Sequence, residues 1–331
     1  MRALEYTRAT SAEQAISVHG RNEATAFLAG GTTLLDLVKI DIMQPDRVVD
    51  VHRLGLDQIE TLADGRTRIG AMVTNTQLAH HPRIKSDYTL LSQALLSGAT
   101  TQLRNKATTG GNVMQRVRCN YFRDGVSACN KRAPGTGCAA IKGHNRSVHA
   151  VLGTSDSCIA THPSDMCVAM AAIGATVQVQ GPNGNREIDF LDFHLLPGST
   201  PWEEHALQAD ELITSVTLNA PIAANKSGYL KLRDRSSYQF ALASSAVILV
   251  MDGQAIREAR IAMGGVGTKP WRALEAERAL HGAAAIPANF AKAAAVALRG
   301  AVPYSQNAYK ILLAQQAIVR SLETLVSEGT R

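Results

Sequence analysis

At 331 residues, with 45% hydrophobic and 19% charged positions, the chain has a globular composition and is too long for one ordinary core, which excludes disordered and fibrous classes. No apolar run approaches the roughly 20 residues of a membrane helix, and the opening Met1-Arg2-Ala3-Leu4-Glu5-Tyr6 lacks the apolar stretch of a signal peptide. The net charge of +6 is concentrated: from Arg116 to Arg146, seven cations (Arg116, Arg118, Arg123, Lys131, Arg132, Lys142, Arg146) face one anion, Asp124, and the rest of the chain is balanced at 27 against 27. Basic residues confined to a cysteine-bearing segment, and not spread over a helix or stripe with stacking aromatics, argue against a nucleic-acid binder.

Residues 1–55 read as a small α/β unit. Ala26-Phe27-Leu28-Ala29 is a short apolar strand, Leu34 to Ile40 has helical spacing, and Pro45-Asp46 precedes the strand Arg47–Val51. Between strand and helix stands Gly30-Gly31-Thr32-Thr33. Two glycines free backbone N–H groups and allow close approach of a ligand, and paired hydroxyls beside them suit a pyrophosphate. A plain turn with Thr32 as helix N-cap explains the same residues. The run is not the Gly-x-Gly-x-x-Gly of a dinucleotide fold of the Rossmann kind.

Residues 56–220 form the second division. Thr67–Val73 reads as a strand, Thr74-Asn75-Thr76 as a helix cap, and Tyr88–Leu96 as an amphipathic helix. The run Gly98 to Asn112, dense in small residues and hydroxyls, offers little to a core and suits backbone wrapped around a polar ligand. After a long irregular loop, Asp165–Ile173 reads as a helix and Thr176–Gln180 as a strand, followed by a stretch rich in Pro and acid. A boundary near 220–228 opens the third division, 221–331. It carries strands at Tyr229–Arg233, Ser245–Met251 and Arg260–Met263, then alanine-rich helices at 273–282, 288–299 and 306–327.

The loop, about 116–158, holds Cys119, Cys129, Cys138 and Cys158 at spacings that match no zinc knuckle or ferredoxin run. A segment this long and irregular needs something other than a hydrophobic core to pin it. An iron–sulfur centre, structural zinc and disulfides all remain open, with four thiolates in a polar, cationic loop favouring a [4Fe–4S] centre. The nearby cations then offset its negative charge. Cys167 lies in an apolar helical run and reads as a core residue, and His144, His149 and His162 read as loop histidines without a catalytic role.

Three sites in order, Ala29 to Leu34, Ala107 to Asn112 and His162-Pro163-Ser164-Asp165, together resemble the FAD-binding subunit of the molybdenum hydroxylases, the xanthine dehydrogenase and aldehyde oxidoreductase family. The pattern Arg118-Cys119-x-Tyr121-Phe122, Cys129-Asn130-Lys131-Arg132 and Gly137-Cys138 is similar to the branch with a cysteine insert, as in bacterial periplasmic aldehyde oxidoreductase. The resemblance implies an α+β fold of the vanillyl-alcohol-oxidase type. Two α/β subdomains, 1–55 and 56–220, clasp FAD, and a C-terminal antiparallel sheet with helices, 221–331, follows. It further implies that Ala29, Gly30, Gly31, Thr32, Thr33 and Leu34 hold the pyrophosphate, with Leu28 beside them. Gly98, Thr108, Gly111 and Asn112 then line the flavin and ribityl chain, Asp165 with Ser164 meets the adenosine ribose, Ile213 the adenine, and Lys231 the flavin's polar edge. Cys119, Cys129, Cys138 and Cys158 become the ligands of a [4Fe–4S] cluster.

The chain then has no catalytic residue of its own and works with a large molybdenum-cofactor subunit, a small [2Fe–2S] subunit and an external electron acceptor. It is expected in the periplasm on a partner's signal, with the cytoplasm as the alternative. A stand-alone FAD oxidase and a zinc-stapled scaffold without redox work are the competing readings.

Overall fold

The structure is a computed structural model, and it describes residues 2–327. Met1 and residues 328–331, the outer ends of the first and third divisions, lie outside the described residues. Three sheets organise the chain. The first is parallel, in the order β1-β3-β2, from β1 (Glu5–Arg8), β2 (Thr25–Leu28) and β3 (Arg47–Asp50). Parallel neighbours need crossovers, and two helices supply them. Ala12–His19 begins at Ser11, whose hydroxyl accepts from Gln14 N–H, and ends at Gly20 in the left-handed region. Leu34–Lys39 follows the Gly30–Thr33 turn.

The second sheet is antiparallel, with β4 (Ile59–Thr61), β5 (Thr67–Gly70), β6 (Ala175–Gly181), β7 (Gly184–Asp189) and β8 (Leu212–Leu218) in the order β4-β5-β8-β6-β7. Its central strand, β8, was not expected from the sequence. Val216 faces Ile69 on one side and Val177 on the other, and the register slips between Gln178 and Val179, leaving Thr214 without a partner residue on β6. Such a bulge re-aims the next side chain, which is Ile213. Thr74 starts the helix Asn75–His80 with a full capping box to Gln77, and Thr89–Ser97 follows in the same division.

The third sheet is antiparallel, in the order β12-β11-β10-β9, from β9 (Asn225–Leu232), β10 (Ala243–Asp252), β11 (Ala255–Gly264) and β12 (Trp271–Arg272). The helices Leu274–Leu280, Pro287–Ala297 and Tyr309–Ser327 share its core with Val247, Ile261 and Met263. The helix Asp165–Ile173 joins the two larger sheets. Its nine residues are all buried, Ser164 caps it by accepting from Cys167 N–H, and it packs on Thr89–Ser97, β10 and β11. So uniform a burial explains why its sequence is apolar all round.

The cysteine loop departs from expectation in one respect. It has a small core of its own, Leu37, Val117, Phe122, Ala140, Ile159 and Ala160 with Cys119, Cys129 and Cys158. Two four-residue helices, Asn120–Arg123 and Ala139–Lys142, flank that core. Its cations are not a solvated patch either. Arg116, Arg118, Arg123, Lys131 and Arg132 all make ion pairs, the first four to Glu204 or Asp36 outside the loop.

Candidate functional site

A cavity of 460 Å³ lies where the first sheet meets the second and the cysteine loop, a size usual for cofactor sites. Ala29 to Leu34 form one wall, Thr108, Gly110 and Gly111 another, and Ile213 lines it from β8. Lys131, Cys158, His162, His194, Trp202 and Glu204 line it as well.

The local structure of the Gly30–Thr33 turn shows why it suits an anion. Thr33, and not Thr32, stands at the N-cap, and its side chain makes no capping bond. The N–H groups of Gly31, Thr32 and Thr33 have no partner among the described residues. A helix start with donors and hydroxyls left over, facing a cavity, fits a phosphate group. The glycines have separate reasons. A Cβ on Gly30 would stand 2.0 Å from the Lys106 carbonyl oxygen, so this residue lets the turn seat against the 98–112 segment. Gly31 adopts φ +74°, which costs other residues about 1 kcal/mol or more. Across the cavity, the Thr108 hydroxyl is already used, accepting from Gly111 N–H at 3.2 Å.

Behind this wall lies a buried charge pair. Lys231 Nζ donates to Asp165 Oδ2 at 2.7 Å and to the Ser97 carbonyl at 3.2 Å, and Tyr229 O–H donates to Asp165 Oδ1 at 2.6 Å. Only 4% of the Lys231 side chain and 9% of that of Asp165 are exposed. Burial, then the Asp165 charge, pushes the Tyr229 hydroxyl well above its ordinary pKa. Gly98 borders the pair, since a Cβ there would lie 3.2 Å from Asp165 Oδ2. Ser164 Oγ donates to Asn112 Oδ1 at 2.6 Å. Asp165 and Lys231, expected at the adenosine ribose and the flavin edge, are thus in direct contact with each other.

The four loop cysteines converge. Cys129 and Cys138 face each other in an antiparallel bridge, and Cys119 and Cys158 share one small core with them. All five cysteines are free. Burial pushes the Cys119 thiol up to about 12 and Cys158 up to about 11. Deprotonated sulfur at these positions therefore needs a cationic centre. No three of the four sulfurs come within 4.8 Å of one another. A tetrahedral zinc with bonds of about 2.3 Å would draw its thiolates to about 3.8 Å apart, so holding one would require the thiols to move closer together. His149, read from sequence as a loop histidine, is 2% exposed, with Nε2 3.3 Å from Cys119 Sγ. Burial lowers its pKa to about 4, so it is neutral.

A second grouping, His162, Cys167 and His194, has ligand atoms within 4.8 Å of one another. The hydrogen bonds argue against a metal there. Ser164 N–H donates to His162 Nδ1 at 3.4 Å, so the proton of the neutral ring sits on Nε2, the atom that would have to ligate. Nε2 of His194 pairs with the Val113 carbonyl at 3.0 Å, leaving a lone pair on Nδ1. The two rings stand edge to face, with centroids 4.4 Å apart. Cys167 is fully buried, as expected of a core residue.

Residues 2–221 match the family model described as the FAD binding domain in molybdopterin dehydrogenase. The chain belongs to the FAD-binding subunits of the molybdenum hydroxylases. Residues 228–325 match the CO dehydrogenase flavoprotein C-terminal domain. Among relatives of this family, the chain is 48% identical over 325 residues to the Escherichia coli aldehyde oxidoreductase FAD-binding subunit PaoB, covering 97% of this chain and 98% of that one. It is 27% identical to the glyceraldehyde dehydrogenase medium chain of Sulfolobus acidocaldarius, over 84% of this chain and 81% of the relative. The fold is shared with carbon monoxide dehydrogenase from Hydrogenophaga pseudoflava, with TM-score 0.77, 24% identity and 98% of each chain covered. Quinoline 2-oxidoreductase from Pseudomonas putida 86 gives TM-score 0.76 and 23% identity, with 100% of this chain and 99% of that chain covered.

As a family member the chain is an FAD-binding subunit of an oxidoreductase. Of the residues expected to hold FAD, the cavity gathers Ala29 to Leu34, Thr108, Gly111 and Ile213. Gly98, Asn112, Ser164, Asp165 and Lys231 sit behind its wall, and Leu28 contributes β2. The sequence reading missed the loop from His194 to His205, whose ends meet in an antiparallel bridge. Its residues have no periodic pattern, and their placement depends on partners distant in the chain, among them Arg116, Lys131 and Gly153.

Proposed function

We propose that the chain is the electron-transfer subunit of a molybdenum-containing aldehyde oxidoreductase and that Cys119, Cys129, Cys138 and Cys158 hold a [4Fe–4S] cluster beside the FAD site. The observation that carries the aldehyde assignment is the 48% identity to PaoB along nearly the whole of both chains. Four free thiols gathered around one small core, with Cys129 and Cys138 paired in a bridge, support the cluster. In this reading the aldehyde is oxidised on a large molybdenum-cofactor subunit, a small [2Fe–2S] subunit supplies the electrons, and this chain passes them to an external acceptor.

Bound FAD supplies the redox chemistry. The chain's own residues do the rest. The turn Gly30–Thr33 offers N–H groups and hydroxyls to the pyrophosphate, β8 presents Ile213, and the 194–205 loop walls the cavity from water. The neutral His162 and His194 keep protons off that wall over the physiological range, since burial holds His194 near 4 and His162 well below its ordinary value. The periplasm, reached on a partner's signal, is the proposed compartment, to be checked by fractionation of cells carrying a tagged chain.

The visible spectrum and metal content of anaerobically purified protein test the reading. Flavin peaks with a broad absorbance near 400 nm and about four iron per chain are expected for such a centre. Flavin without iron would overturn the cluster, and zinc in place of iron would favour the scaffold. Co-purification of a large and a small partner chain is the expected companion result.

A further inference from the structure

The 194–205 loop walls the cavity, yet the residues that hold it come from the cysteine loop. Arg116 Nε donates to Glu204 Oε1 at 2.6 Å. Lys131 Nζ donates to the Pro201 carbonyl at 2.7 Å and stands 3.5 Å from Glu204 Oε2. Only 8% of the Lys131 side chain and 16% of that of Glu204 are exposed, so these charges compensate one another away from water. A third contact is apolar. Gly153 lies so close under Leu196 that an added Cβ would be 2.8 Å from Leu196 Cδ2. The gripped loop carries Leu195, Pro197 and Trp202 on the cavity side. Arg116 also lies 4.7 Å over the ring of Phe122, which is buried in the core shared with Cys119, Cys129 and Cys158.

We propose that the cysteine loop is a clamp for the flavin: through the part-buried Arg116–Glu204–Lys131 triad it holds the 194–205 loop closed on the FAD cavity, and flavin retention depends on that grip. The proposal rests on FAD filling the cavity but not on which inorganic core the cysteines hold. Lys131 and Glu204 also border the cavity, and their positioning role, through the loop they fix, is read by protease exposure of that loop. A buried charge that loses its partner is strongly disfavoured, so removing either end should free the loop while Arg118 and Arg123 still hold the insert to Asp36.

The test follows flavin release from the purified complex by the rise in flavin fluorescence, with metal content measured on the same samples. Lys131→Met and the near-isosteric Glu204→Gln are expected to release flavin at least tenfold faster with metal content unchanged, and the double variant to be no faster than the quicker single. With flavin saturating, both should expose residues 194–205 to protease, and Lys131→Arg should restore retention. Arg123→Met, which breaks an insert ion pair remote from that loop, is the control. Release unchanged in both single variants, or no faster than in Arg123→Met, would overturn the clamp. Metal-free wild type would refute the cluster reading and leave the clamp standing, whereas metal-loaded variants with normal flavin retention would do the reverse.

Discussion

Lys310 gives the sharpest test of the packing. Its side chain is fully buried, and among the described residues its ammonium has only carbonyl partners, Ser147 and Gly265, each at 2.6 Å. One belongs to the cysteine loop and the other to the turn after β11, so the ammonium stitches the insert to the third division. Burial without a carboxylate lowers its pKa from 10.5 to about 7. At ~1.36 kcal/mol per pKa unit, that fall corresponds to ~5 kcal/mol. The sign follows from proton counting. Between pH 7 and 10.5 the unfolded chain binds a proton that the folded chain does not, so this group makes stability rise with pH. Above 10.5 neither state is charged, and below 7 the penalty is constant. Lys310→Met removes the titration. Urea unfolding at pH 7.5, 8.5 and 9.5, with FAD saturating, should show the stability of wild type minus variant climbing by up to ~1.4 kcal/mol per pH unit. Parallel curves for the two proteins would refute the reasoning.

Lys231→Met should destabilise the protein by ~3–5 kcal/mol because it leaves the Asp165 charge buried without a countercharge, held by the Tyr229 hydroxyl, a loss that calorimetry reads as a lowered Tm. Thr33→Ala should change stability by less than the ~1 kcal/mol typical of a cap, because the hydroxyl caps nothing, while weakening FAD binding measured by titration of the apo-subunit. Gly30→Ala should abolish FAD retention, since its Cβ would collide with the Lys106 carbonyl; a flavin-loaded variant would show that the turn can shift. Cys138→Ser should lower iron content and loosen residues 116–158 to proteolysis, whereas Cys167→Ser should leave iron intact, and equal loss in both would mean a wrong choice of ligands.

Where local residues decided the structure, the sequence was readable. Gly30 to Thr33 mark their turn, Ser164 and Gly174 bracket the buried helix as cap and stop, and β10 stands out as a continuous apolar run. β8 was hidden. Leu-Ile-Thr-Ser-Val-Thr-Leu has no clean period because the strand is buried on both faces and bulged, and its partners lie at residues 67–70 and 175–180. The site was legible as a set of motifs but not as a geometry. Nothing in the residues around Asp165 announces that Lys231 will touch it, and the balance of the loop's cations against Asp36 and Glu204 is a tertiary fact.

Leu37, four residues beyond the end of the anion-facing turn, is fully buried against Val117, Phe122 and Ile159. On the ribosome, its covering begins to arrive about 80 residues later, which at ~5–20 residues per second is a wait of ~4–16 s. During that interval the helix carrying Asp36 has neither its apolar lid nor its two arginines. Biogenesis therefore has a built-in sequence: the nascent first layer cannot mature before the cysteine segment has been translated and has condensed upon it.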